Sequence, residues 1–170
     1  DANGLSHEYG PINPNCDNQD DAVSLLVEGQ QVSEGEAFCL DVTVEDFNDV
    51  ASVQFSMAWD AGSLAFDSLE LGSVLPGLNE NTDFNLSNTN NGSLIMSWFH
   101  PDLEQTSLVD GSVLFSLCFT AGTLADTSSV IITSSPTLVE ITDGSESLPV
   151  NISNGTIINL GPMVWPGDTD

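Results

Sequence analysis

The chain has 170 residues, 26 of them aspartate or glutamate and none lysine or arginine, giving a formal net charge of −26 at pH 7. Such a polyanion cannot neutralise phosphates, which excludes nucleic acid and anionic membrane surfaces as partners and leaves solvent cations, calcium included, as its counterions. Hydrophobic residues make up 40% of the chain and charged residues only 15%, so it is a folded domain with one core rather than a disordered acidic tail, and no apolar run approaches the ~20 residues that span a bilayer.

Residues 1–21 are rich in Asn, Asp, Pro and Gly and show no periodicity, which predicts an extended N-terminal arm carrying Leu5, Tyr9 and Ile12. From Ala22 onward apolar and polar residues alternate between Gly, Asn, Asp and Pro turns. This pattern predicts strands near 22–28, 36–45, 50–59, 64–70, 83–87, 93–99, 112–120, 129–134 and 155–160. No window of ten residues shows a clean helical stripe. The prediction is an all-β domain over 22–160, a nine-stranded antiparallel β-sandwich. Residues 161–170 form a second, Pro-rich extension in which Pro162 and Pro166 bracket Met163, Val164 and Trp165.

Within these strands the alternation assigns faces. Val53, Phe55, Met57 and Trp59 share the inward register. Trp98 and Phe99 are adjacent, so one must face out; with Met96 and Trp98 inward, Ile95, Ser97 and Phe99 line the outside. In the strand near 112–120, Val113, Phe115, Leu117 and Phe119 read as inward, and Leu114, Ser116 and Cys118 as outward. Cys39 also falls on an outer face. If the strands near 36–45 and 112–120 are antiparallel neighbours, a non-hydrogen-bonded pair would set the two cysteine Cα atoms ~4.5 Å apart, within disulfide range. Three cysteines without metal-type spacing favour an oxidising, extracellular location, with Cys16 left over.

The order of the signals resembles the cohesin domain. Residues 24–72 are similar to its first half: a Val-rich strand, a glycine turn, a second strand, a third ending in aromatic-Asp at Trp59-Asp60, and a leucine-containing strand closing on Gly72. The second half matches at 92–102, 110–121 and 151–160, the last with Asn154-Gly155 before the closing strand. The resemblance implies a jelly-roll topology in which the two cysteine-bearing strands are neighbours, consistent with a Cys39–Cys118 disulfide. It implies a protein partner, a dockerin-like helical module, bound on the sheet of the third, fifth, sixth and eighth strands. Carried over, the binding positions are Ser52, Gln54, Ser56, Ala58, Ser97, Phe99, Ile131 and Thr133. At the end of the chain, Gly167-Asp168-Thr169-Asp170 resembles the opening of a dockerin calcium loop, with Asp168 and Asp170 at its first two ligand positions.

The resemblance therefore points to a secreted, non-catalytic module for extracellular or cell-surface assembly that requires no cofactor, calcium being the one candidate ion. Two alternatives remain open. Arms bearing Leu5, Tyr9, Ile12, Met163, Val164 and Trp165 would suit a self-assembling filament subunit, and an exposed aromatic would suit a carbohydrate-binding module with a polysaccharide ligand. Catalysis is disfavoured because the acids sit in turns (Asp46 and Asp49, Asp102 and Glu104, Asp143 and Glu146) and neither His7 nor His100 lies beside a nucleophile in sequence. Four Asn-x-Ser/Thr sequons, at Asn85, Asn91, Asn151 and Asn154, lie at turns or strand edges where glycans fit.

Overall fold

A computed structural model of the chain describes residues 22–123, 126–161 and 167. The strands are β1 (Val23–Val27), β2 (Gln30–Val32), β3 (Ala37–Glu45), β4 (Ser52–Trp59), β5 (Leu64–Leu71), β6 (Phe84–Asn85) and β7 (Ser93–Phe99). They continue with β8 (Ser112–Ala121), β9 (Thr127–Thr133), β10 (Glu140–Thr142), β11 (Ser147–Leu148), β12 (Val150–Ser153) and β13 (Gly155–Asn159). One helical turn, α1 (Glu80–Asp83), precedes β6, capped by the Asn79 side chain accepting from the Asn81 N–H.

Two sheets face each other. The smaller has the order β12-β1-β3-β8-β5. In the larger, β2, β13, β9, β4, β7 and β6 lie side by side. β7 runs along one edge of β4 for its whole length, whereas the other edge is shared: β9 pairs with Ser56–Trp59 and β10 with Ser52–Gln54. All nine expected strands are present, and β2, β10, β11 and β12 are additional short ones. The ladders are antiparallel except at the chain's two crossovers, where β1 pairs with β12 and β2 with β13 in parallel. At that corner the backbone passes from one sheet to the other twice, at Gly29 and Gly155. A Cβ on Gly155 would sit 2.5 Å from the Glu28 carbonyl oxygen, and one on Gly29 would sit 3.0 Å from that of Thr156. Only glycines let the two crossings approach so closely.

The inward residues interdigitate as the alternation requires. Phe55, Met57, Trp98, Phe115 and Phe119 are buried, and the Trp59 ring meets Phe119 edge-on at 5.3 Å. The Trp98 indole N–H is satisfied by the Pro76 carbonyl at 2.9 Å. One expectation fails. A bulge between Val42 and Thr43 sets Thr43 opposite Val113 and Val42 opposite Phe115, leaving Leu114 as the extra residue. Leu114 is fully buried, and Val113 joins Leu26 and Thr43 on the outer face. The inserted residue flips the parity of the strand, reversing the expected facing of Val113 and Leu114.

Cys39 and Cys118 are direct partners across β3 and β8, with Cα atoms 4.0 Å apart, and form a disulfide. Cys39 is exposed while Cys118 is nearly buried.

Candidate partner-binding face

The outer face of the larger sheet is set by the register of β4 with its neighbours. Ser52 lies opposite Phe99 and Thr142, and Gln54 opposite Ser97 and Glu140. Ser56 lies opposite Ile95 and Thr133, and Ala58 opposite Ser93 and Ile131. The positions Ser52, Gln54, Ser56, Ala58, Ser97, Phe99, Ile131 and Thr133 therefore do share one face. Across these rows Glu140 carries the only charge, and Phe99 stands 61% exposed at one end. The outer face of the smaller sheet differs: it presents Asp41 and Glu45 on β3 and Asp67 and Glu70 on β5.

Ser56 points outward yet is fully buried. The segment 134–139, which leaves the β4 edge after β9 and returns as β10, crosses over it. The Ser56 hydroxyl donates to the Thr137 carbonyl at 3.1 Å and accepts from the Thr137 N–H at 2.8 Å. Gln54 Nε2 donates to the Leu138 carbonyl at 3.4 Å. These bonds hold a flap across the middle of the sheet with Leu138 66% exposed. Ser56 is thus a peg for the flap and not an accessible contact. Strand alternation gives no sign of Leu138, because the segment has no period and contains Pro136. Leu103, 83% exposed with φ 57° in the turn after β7, was likewise invisible to the pattern.

On the far side of the flap, between β4 and β9, lies a hollow of about 320 Å³ lined by Ala58, Trp59, Asp60, Ser128, Ser129 and Ile131. Asp60 closes the strand: its Oδ1 accepts from the Gly62 N–H at 2.9 Å and its Oδ2 from the Ser63 hydroxyl at 2.8 Å. The Ser63 hydroxyl, and then the Gly62 N–H, hold its carboxyl below the usual aspartate range. At the end of β4 the Trp59 N–H donates to the Gly92 carbonyl at 2.9 Å. Gly92 has φ 78°, and a Cβ on it would lie 2.0 Å from the Trp59 carbonyl oxygen.

The acids expected in turns are found there. Two of those turns meet, since Asp46, Asn48, Asp49 and Asp143 line a depression of about 230 Å³. Asp46 and Asp49 both have positive φ. The Asp143 carboxyl is held below its ordinary range chiefly by the Glu146 and Ser145 N–H groups. Cys39, Cys118 and Glu70 also lie within 4.8 Å of one another, but both sulfurs are spent in the disulfide, so no thiolate is available to a metal. His100 is buried, with Nδ1 accepting from the Asp102 N–H at 3.2 Å.

Of the sequon asparagines, Asn85 Oδ1 accepts from the N–H and hydroxyl of Ser87, and Asn154 Oδ1 from the Ile132 N–H at 2.9 Å. Asn91 donates to Asn88 at 3.5 Å, and Asn151 is exposed on the edge strand β12. The arm residues Leu5, Tyr9, Ile12, Met163, Val164 and Trp165, and the loop-like Asp168 and Asp170, lie outside the described residues.

Residues 23–158 match the family profile of the cohesin domain. The chain belongs to the cohesin family. Its fold is similar to that of a Clostridium acetobutylicum cohesin solved in solution, at 20% identity over 82% of this chain and 91% of that one, with a TM-score of 0.68. The seventh ScaB type I cohesin of Pseudobacteroides cellulosolvens aligns at 12% identity over 88% and 99% of the two chains, with a TM-score of 0.69. A cohesin of Clostridium thermocellum solved in complex with a dockerin aligns at 13% identity over 82% and 99%, with a TM-score of 0.67. No curated protein sequence matches significantly. Cohesin domains require no cofactor.

Proposed function

We propose that this cohesin domain is a secreted, non-catalytic docking module that receives a dockerin-type helical partner on the outer face of β6, β7, β4 and β9. One observation carries the reading: in a chain of charge −26, the outward rows of β4, β7 and β9 hold no carboxylate. The opposite sheet is not so spared. Cores of protein interfaces are depleted of charge because desolvating an unpaired carboxylate is costly, and they are anchored by a few exposed apolar side chains. Phe99 and Leu138 supply such anchors here. The disulfide supports an oxidising, extracellular setting. Among the described residues Phe99 is the one exposed aromatic, too little platform to favour polysaccharide. The arms of a self-assembling subunit fall outside the described residues, and a −26 surface repels its own copies.

Calorimetric titration with calcium-loaded dockerin modules from proteins secreted by the same organism tests this. At least one should form a saturable complex with equal numbers of each partner, lost on Gln54→Arg with Phe99→Glu but retained on Asp41→Asn on the other sheet. Failure of the whole set to bind the wild type would overturn the proposal.

A further inference from the structure

We propose that the hollow between β4 and β9 is a receptor for a single lysine or arginine side chain of the docked partner, its hydrocarbon stem against Ala58 and Ile131 and its charged head on Asp60. The inference rests on the docking face proposed above. The hollow forms on the β9 side of Ala58, where the small alanine on β4 faces Ile131, with Ser129 next along β9. Its walls are mostly apolar, and the one ionised group at its lip is exposed. Long basic side chains suit that combination, since they bury methylene groups along apolar surface and keep the charge in water. A bare metal ion does not, because it needs several oxygen ligands where this hollow offers one carboxylate.

Asp60 is prepared for the head group. The Gly62 N–H and the Ser63 hydroxyl each occupy one of its oxygens, fixing the carboxylate in place while each oxygen retains a lone pair for a further donor. Charge complementarity identifies the occupant. These 170 residues contain no lysine or arginine, so no part of this domain, in the same copy or a second one, can supply the head group. A partner of different sequence must, and the −26 surface draws such a partner in.

Amide chemical-shift mapping of the ¹⁵N-labelled protein with Nα-acetyl-lysine methylamide, at constant ionic strength, tests the site without any partner. Saturable shifts should centre on Ala58, Asp60, Ser129 and Ile131. The norleucine analogue, which has the stem without the charge, should bind more weakly. Asp60→Asn should weaken the lysine fragment by about three- to fivefold, the worth of an exposed charge pair. Ala58→Leu, which fills the hollow and leaves the Asp60 turn intact, should abolish it even if Asp60→Asn perturbs the fold. Asp67→Asn on the opposite sheet should change nothing. Shifts scattered over the acidic surface, or unchanged in Ala58→Leu, would overturn the site. A dockerin that binds the wild type should bind both hollow variants more weakly. Seating of the lysine fragment while every dockerin fails would sink the docking function alone; dockerin binding without localised fragment shifts would sink the lysine site alone.

Discussion

Replacing both Cys39 and Cys118 with alanine, in a Cys16→Ala background that prevents mispairing, should lower the melting temperature while leaving the strands in place. The bridged residues are 79 apart in sequence. Closing a loop of that length removes entropy from the unfolded chain equivalent to about 4–5 kcal/mol at 25 °C. The folded state should lose little, because β3 and β8 are already paired from Ala37–Thr120 to Val44–Ser112 and neither is a sheet edge. At roughly 2–4 °C per kcal/mol for a chain of this size, the expected drop is about 10–15 °C. Differential scanning calorimetry measures it, and far-ultraviolet circular dichroism at 20 °C checks that the sheets persist. A drop under about 3 °C would refute the entropic reasoning and mean that the reduced, unfolded chain is already compact. Loss of structure at 20 °C would refute the claim that the ladder alone holds the two strands.

Raising salt from a few millimolar to ~0.15 M should raise the melting temperature, because 26 acids face no basic side chain and screening relieves their repulsion; a flat or falling curve counts against this. Leu114→Ala should cost about 2–5 kcal/mol in urea unfolding, against under about 1 kcal/mol for Val113→Ala. The opposite ranking would mean that β8 alternates without a bulge. Asp60 is held below the ordinary aspartate range in the folded state, so its bonds to Ser63 and Gly62 contribute stability above about pH 4 that is lost as pH falls through the lowered value. The melting-temperature gap between wild type and Asp60→Asn should therefore be widest near pH 7 and narrow progressively as pH falls below about 4. A gap independent of pH would assign those bonds no role in stability.

The strand framework was legible because one face of nearly every strand is buried, and a period of two then specifies facing: Phe55, Met57 and Trp98 follow from it directly. The same rule broke at Val113 and Leu114, where a bulge adds a residue that local sequence does not announce. β2, β10 and β11, of two or three residues each, are too short for any periodicity, and β12 has no buried position to mark a face. On the candidate face, register was predictable but accessibility was not. Nothing about Ser56 itself says that Thr137, 81 residues away, crosses above it. The hollow at Ala58 was equally hidden, since it arises from side chains on two strands, β4 and β9, that lie far apart in sequence and that only the sheet order brings together.

The absence of lysine and arginine makes recognition by this domain one-sided. In an ordinary interface each partner supplies both signs of charge, and a copy of the molecule can satisfy its own surface. Here the carboxylates of this domain must find their cationic partners in the docked protein or the solvent. Self-association then sets carboxylate against carboxylate, with solvent cations the main available bridge. The central rows of β4, β7 and β9 remove the acids from the area that docking would dry, so the desolvation cost is small. The exposed acids left around them, Asp60, Glu140 and Glu146 among them, sit where water still screens them and where they act on approach more than on the bound state. A partner selected by such a surface should carry a small apolar patch ringed by lysine and arginine. Its association rate should then fall with added salt much faster than its dissociation rate rises, a split that stopped-flow measurements at two salt concentrations resolve. Salt acting equally on both rates would mean that the charges are buried in the interface, contrary to their placement here.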